Sequence, residues 1–336
     1  MTEDDRQALD GALVSMGLIA NGDRPVIEPL AGGVSCDVFR VDLPTGPVCM
    51  KRALAKLKVE KDWFAPVERN AFEVAWMEAA SAIVPAAVPE VVGHDPDAGL
   101  FAMTYLPPET HPVWKHLLRD GRIDPEIAGQ LGDVMGQIHA ATAGRSDIAE
   151  RFADAAPLFH ALRIEPYFLA TGLEHPDCRD RVEALADRTE TTRLTLVHGD
   201  FSPKNILAGP EGPVLLDAET GHYGDPAFDL AFCLNHLLLK CIWRPHWTDR
   251  YLNCFSAMKD AYLRRVDWER PAVIEGRIAS LLPVLLLARI DGKSPVEYIT
   301  NDAEKDNVRM IAKPLILSPP RTLADLAAHW REGLPR

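Results

Sequence analysis

The sequence predicts an α+β chain of two lobes, a small antiparallel-sheet lobe over residues 1–105 and a larger, mainly helical lobe over 106–336. Three observations predict it. Short β-type runs separated by tight turns crowd into the first third of the chain. Helical periodicity takes over after Leu106-Pro107-Pro108, and one compact β segment near residues 194–217 interrupts the helical part. A chain of 336 residues suits two domains or one large bilobal one, and it carries no internal repeat, low-complexity tract or long linker.

Each element follows in order. Thr2 can cap a helix with Asp5 reaching back, and Leu9, Leu13, Met16 and Leu18 supply its apolar stripe. Val26-Ile27, Val38 to Val41 and Pro47 to Met50 read as three antiparallel strands, punctuated by Gly32-Gly33 and Pro44-Thr45-Gly46. Glu68 to Ile83 is helical in composition. Val88 to Val92 and Leu100 to Tyr105 are two further strands around the turn Asp95-Pro96-Asp97. Later, Leu194 to Val197 and Val214 to Leu216 are apolar strands, separated by a polar loop and the turn Gly209-Pro210-Glu211-Gly212-Pro213.

Composition narrows the function. The formal net charge is −13, so phosphate backbones and anionic lipid are poor default partners, and a cationic or neutral ligand is easier to accommodate. The uninterrupted apolar runs, such as Leu281 to Ala288, fall short of the roughly 20 residues that cross a bilayer. The amino terminus is acidic where a signal peptide is basic, which predicts a cytoplasmic protein. Cys36, Cys49, Cys178, Cys233, Cys241 and Cys254 show no paired spacing and read as reduced, buried small hydrophobes. His198, His222, His236 and His246 lack zinc-ligand spacing.

The chemistry concentrates between residues 194 and 219. One strand end presents His198, Gly199 and Asp200, with Asn205 five positions beyond the aspartate, and the next presents Asp217. Adjacent carboxylates repel unless a cation sits between them, and hard oxygen donors of this kind suit Mg²⁺. The ordered series resembles the catalytic loop and metal-binding aspartate of protein-kinase-like enzymes. With glycine after the histidine, and with Gly224-Asp225-Pro226-Ala227-Phe228-Asp229-Leu230-Ala231 following, it is similar to the aminoglycoside phosphotransferase and choline kinase family.

That resemblance implies a two-lobed protein-kinase-like fold and a small-molecule kinase using ATP and Mg²⁺. Residues 1–105 become the nucleotide-binding lobe, and 106–336 the catalytic lobe that takes a small hydroxyl acceptor. It gives Asp200 the hydroxyl-orienting role and gives Asn205 and Asp217 the metal. Gly32, Gly33 and Ser35 fall where the family folds a glycine loop over phosphates, and Lys51 where its lysine meets the α- and β-phosphates. Glu73 is the preferred partner of Lys51, with Glu68 and Glu78 as competitors. Backbone groups of Thr104 and Leu106 would meet the adenine edge. His198 braces the loop, and Asp229 ties it through buried hydrogen bonds.

The pattern departs from protein kinases in informative places. Gly199 and Ser202 stand where those enzymes carry arginine and lysine, Ala218-Glu219 follow the metal aspartate, and no activation segment precedes Asp225. A protein substrate is therefore disfavoured. A nucleotide-binding pseudokinase or scaffold without turnover stays open as the alternative. Lys204 can reach the transferred phosphoryl or make a salt bridge, and Glu219 can bind metal or acceptor or form a structural hydrogen bond. Trp243, His246, Trp247, Tyr251, Tyr262 and Trp268 can wall an amine site or fill a helix core. Pro283 interrupts an apparently buried helix, and Gly292-Lys293-Ser294 lacks the spacing of a phosphate loop.

Overall fold

A computed structural model describes residues 2–30, 35–54, 56 and 67–335. Gly32 and Gly33 lie outside the described residues. The leading helix α1 (Glu3–Ser15) opens on Thr2, whose hydroxyl accepts from the Asp5 N–H while the Asp5 carboxylate accepts from the Thr2 N–H. This reciprocal capping box is the one the sequence predicts.

Strands β1 (Val26–Leu30), β2 (Cys36–Leu43), β3 (Gly46–Ala53), β4 (Val91–Asp95) and β5 (Leu100–Thr104) form one antiparallel sheet in the order β1-β2-β3-β5-β4. Its pleat sorts the residues of β3 between two cores. Val48 and Met50 pack with Leu9, Ala12 and Leu13 of α1, whereas Cys49 belongs to the core shared with α2 (Arg69–Ser81). Lys51 follows Cys49 by two residues, so it faces α2 and is buried there. The fourth strand begins three residues later than the sequence suggests. A 3₁₀ turn at Pro85–Ala87 occupies the approach, and Pro89 has no N–H to give a ladder.

The large lobe is helical. It runs through α3 (Trp114–Arg119), α4 (Pro125–Thr142), α5 (Ser146–Arg151), α6 (Ala156–Phe159), a π-helical stretch His160–Leu169, α7 (Ala170–Glu174) and α8 (Arg179–Thr191). After the inserted strands come α9 (Ala227–Trp243), α10 (Thr248–Leu263), α11 (Pro271–Asp291), α12 (Asp302–Leu317) and α13 (Leu323–Glu332). Helices α4 and α10 lie so close at Gly132 that a Cβ there would fall 2.1 Å from the Met258 carbonyl oxygen. Helix α9 is buried almost all round, which its near-continuous apolar sequence requires.

Helix α11 corrects one expectation. It continues through Pro283 for 21 residues, so by length and composition it could cross a membrane, although the uninterrupted apolar run could not. It is mostly buried and packs on α9 and α12. Tyr251 and Tyr262 are fully buried core residues, and all six cysteines are free and buried.

Candidate active site

Four short strands aim the polar loop. Strand β6 (Thr195–Val197) pairs antiparallel with β9 (His222–Gly224), and β7 (Ile206–Gly209) forms a hairpin with β8 (Gly212–Leu215). The loop 198–205 is thereby held between two ladders. At Gly199, φ is +75° and a Cβ would lie 2.6 Å from the Thr220 carbonyl oxygen, so a side chain in this position would collide with backbone. That is a physical reason for glycine where protein kinases carry arginine.

Beneath the loop lies a dry anchor. The Asp229 carboxylate accepts the His198 N–H at 2.7 Å and the Gly199 N–H at 2.8 Å. It also accepts from His139 Nε2 at 3.3 Å, and His139 Nδ1 takes the Tyr262 hydroxyl at 2.8 Å. Burial opposes charge on Asp229, yet these hydrogen bonds outweigh it and keep the carboxyl below its ordinary range. His198 donates from Nε2 to the Leu216 carbonyl at 3.1 Å and accepts the Asp200 N–H on Nδ1 at 3.1 Å, while the Trp76 ring meets it edge-on. Burial lowers its pKa, so the imidazole is a neutral brace with both nitrogens committed.

Asp200 presents one carboxylate oxygen to two cations, Arg163 Nη2 at 3.1 Å and Lys204 Nζ at 3.0 Å. Arg163 comes from the π-helical stretch and also donates to the Gly199 carbonyl at 2.6 Å, which fixes the loop and its aspartate together. Asn205 donates its amide to the Asp200 carbonyl at 3.0 Å, which leaves its side-chain oxygen as the free end of the group. Among the described residues Asp217 is the only non-glycine residue with a positive φ, +66°. Aspartate tolerates that conformation better than most residues do.

The small lobe meets this loop through two pairs. Lys51 Nζ lies 2.8 and 2.7 Å from the Glu73 carboxylate oxygens and also bonds Asp217 Oδ1. Of the three glutamates the sequence left open, Glu68 is exposed and Glu78 pairs with Arg151, so the structure brings Glu73 to Lys51. Burial opposes charge on Lys51, but Asp217 and Glu73 overcome it and raise its pKa well above the usual lysine value. Asp217 falls below the carboxylate range because Lys51 and Lys204 outweigh its burial, and the more deeply buried Glu73 is lifted by desolvation. The second pair joins Arg69 Nε to Glu219 at 3.0 Å, which gives Glu219 a structural partner across the lobes.

The remaining sequence candidates are more dispersed. Ser35 immediately precedes β2, buried, with its carbonyl accepting from Arg69 and Leu54. Thr104 ends β5 and donates its N–H to the Glu90 carbonyl at 2.9 Å. A cavity of about 310 Å³ borders Thr104 and Leu106, together with residues 86–90 and the β7–β8 turn.

The donor set fits Mg²⁺. Among the described residues no group of three or more His, Cys, Asp or Glu side chains is placed to hold a metal. Magnesium in phosphoryl-transfer sites takes only one or two protein oxygens and completes its shell with phosphates and water. Asn205 and Asp217 each offer a side-chain oxygen not spent on another described residue, and they are the two that would hold it.

Residues 26–274 match the phosphotransferase enzyme family. The chain belongs to that family. It is 28% identical over 239 residues to a methylthioribose kinase of Escherichia coli O45:K1 (strain S88 / ExPEC), covering 62% of this chain and 56% of the relative. The chain therefore spans little more than half the length of that curated relative. The fold is shared with amicoumacin kinase hAmiN, solved with AMP-PNP, Ca²⁺ and Ami, at 14% identity, 97% coverage of both chains and a TM-score of 0.58. An aminoglycoside phosphotransferase from Alicyclobacillus acidocaldarius subsp. acidocaldarius DSM 446 shares it at 15% identity, a TM-score of 0.51, and 95% and 96% coverage.

Within this chain, sequence reasoning overlooked Arg163 and Arg69. Neither lies in a recognisable motif. Each is a buried guanidinium whose carboxylate partner is remote in sequence, so only the folded chain pairs them.

Proposed function

We propose that this phosphotransferase is a small-molecule kinase, transferring the γ-phosphoryl of ATP to a substrate hydroxyl with Mg²⁺. The observation that carries the reading is the cluster in which Lys51, held by Glu73, reaches Asp217 from the small lobe, next to the loop where Asn205 and Lys204 bond Asp200. Phosphoryl transfer requires little covalent help from protein and much positioning and charge stabilisation. Asn205 and Asp217 would hold Mg²⁺, which would offset the charge of the phosphates.

The chain's own residues supply the rest. Asp200 accepts the hydrogen bond of the incoming hydroxyl, orients its oxygen toward the phosphorus and takes the proton late. Arg163 holds that carboxylate in place from behind. Lys204, half exposed beside Asp200, is positioned to meet charge on the moving phosphoryl. Lys51, oriented by Glu73, supplies a compact cation to the nonreacting phosphates.

The test is magnesium-dependent ATP binding by calorimetry, followed by turnover against small alcohols, sugars and amino alcohols. Asp200→Asn should retain nucleotide affinity within about threefold while lowering turnover by about 10²- to 10⁴-fold. Binding without transfer to any acceptor points to the scaffold reading, and transfer to protein rather than small alcohols points to a protein kinase.

A further inference from the structure

Beyond Asp200 the packed side chains turn basic and aromatic. Helix α9 carries Phe232, His236 and Lys240 at four-residue spacing, one stripe facing Tyr167 of the π-helical stretch and Tyr298 beyond α11. The Arg163 guanidinium that holds Asp200 lies 5.9 Å from the Tyr167 ring, and the Arg289 guanidinium lies 5.6 Å from the same ring. Arg289 donates to the Tyr167 hydroxyl and to Ser294 Oγ, both at 3.0 Å, and to the Ser294 carbonyl. All of those partners are neutral, and its Nε is buried without one.

Lys240 is 2% exposed, with its ammonium 4.2 Å from the Tyr298 ring and 5.9 Å from that of Trp243. Among the described residues neither Lys240 nor Arg289 has a carboxylate at ion-pair distance. Burial pushes Lys240 down to about 7, with Glu297 pulling up and Lys115 and Arg289 pushing down. Glu297 is itself taken by Lys115 at 2.5 Å. His236, 3.3 Å from the Tyr298 hydroxyl, is held well below its ordinary pKa by burial and then by Arg289, Lys240, Lys204 and Lys115.

A chain with 49 acidic and 36 basic residues thus places two largely buried cations without counter-ions along a contact path that begins at Asp200. Desolvating a cation is costly, and aromatic faces return only part of that cost. An anion arriving from outside would restore the Lys240 charge that burial suppresses and give Arg289 a counter-charge for its unpartnered Nε.

We propose that the acceptor carries an oxyanion, a carboxylate or phosphate, which Arg289 and Lys240 bind while its hydroxyl lies at Asp200. This rests on the kinase reading and names the acceptor's chemical class. It places the aromatic residues of this wall, Tyr167, Tyr298 and Trp243, around an anion held by cations rather than around an amine.

The experiment measures transfer from magnesium ATP to matched acceptors. Glycerate and glycerol 3-phosphate are set against glycerol and serinol, and gluconate against sorbitol and glucosamine. The anionic members should exceed their neutral and cationic counterparts at least tenfold in kcat/KM, and the carboxylate and phosphate arms decide which anion fits. Arg289→Gln and Lys240→Met should each raise KM for the preferred anion at least tenfold while kcat changes less than threefold, and Arg289→Lys should recover part of the loss. A merely structural role would lower kcat/KM for all acceptors alike. Lys240→Met removes a buried charge at similar volume, so its melting temperature should not fall.

Preference for neutral or cationic acceptors, or an unmoved KM in both variants, overturns the anion proposal and leaves the kinase reading standing. Failure to phosphorylate any acceptor, with ATP bound, overturns both.

Discussion

Two ionic clusters are built around Asp217 and Asp200, and they differ in sign and in construction. The first, Lys51 with Glu73 and Asp217, sets one cation against two carboxylates and spans both lobes through single side-chain contacts. The second, Asp200 with Arg163 and Lys204, sets two cations against one carboxylate and lies wholly in the large lobe above the Asp229 anchor. An excess of carboxylate suits a divalent cation with its phosphates, and an excess of guanidinium and ammonium suits charge that develops on a transferring group. The difference also separates binding from stability. The lobe-spanning cluster should affect ligand binding when broken, and the network under the second should affect folding.

The strongest way to break this comparison is Asp217→Asn, which keeps a residue tolerant of positive φ and removes the charge. Magnesium-dependent nucleotide affinity and turnover should fall together, with kcat/KM for ATP lower by about 10³-fold, a size set by losing a metal ligand and a phosphate-facing charge at once. The urea midpoint should move little. If calorimetry shows affinity intact and only turnover lost, Asp217 belongs with Asp200 and the two clusters are not distinct.

Next in size is Asp229→Ala. It strands two buried N–H groups of the 198–205 loop and one nitrogen of His139, each fully enclosed. Unpaired buried polar groups of this kind should cost about 3 to 5 kcal/mol in urea denaturation. An activity loss without a stability loss would contradict the anchor.

How much of this was legible in the sequence follows from the range of each interaction. The capping of α1, the three leading strands and the catalytic series 198–217 rest on neighbouring residues, and local spacing reveals them. Lys51 was legible because it follows the apolar run of a strand, although β3 continues past it to Ala53, and its partner was not unique until α2 was placed in register: only then does Glu73 face β3 while Glu78 turns toward Arg151. Arg163 was not legible, because it precedes Asp200 by dozens of residues and sits in a π-helical stretch that no propensity signals. The net charge of −13 favoured a cationic or neutral ligand, yet charges beyond about 8 Å are screened at physiological salt, so the sign at a site is set by its immediate neighbours.

Acid provides the third comparison. His222 of β9 is buried, stacks on Phe159 with ring centroids 3.9 Å apart, and donates from Nδ1 to the Thr220 carbonyl at 3.0 Å. Burial depresses its pKa from 6.5 to about 4. The unfolded chain therefore binds a proton that the folded chain refuses between those values, so the stability His222 contributes is whole above pH 6.5 and lost as pH falls toward 4. The loss amounts to about 3 kcal/mol. His222→Gln should flatten the urea midpoint across that window relative to the parent protein, and parallel curves would remove His222 as the source. Lys51 and Asp217 stay ionised through the same range, but burial lifts Glu73 above its ordinary value, so the folded chain takes up a proton there as pH falls and the lobe-spanning cluster opposes the His222 slope in both proteins alike.

The smallest effect tests how far the anchor extends. Tyr262 lies on α10, fully buried, and its hydroxyl donates to His139 Nδ1 at 2.8 Å; the other nitrogen of that ring donates to Asp229. Tyr262→Phe keeps the ring and its edge contact with His139 but leaves Nδ1 without a donor. The expected cost is about 1 to 2 kcal/mol in urea denaturation, with turnover within twofold of the parent. The hydroxyl acts on the loop through two intervening side chains, so it should set the depth of the energy well that holds the loop and not the position of Asp200 within it. A stability loss confined to the small lobe by hydrogen exchange, or turnover falling in step with stability, would mean that the two clusters share one support.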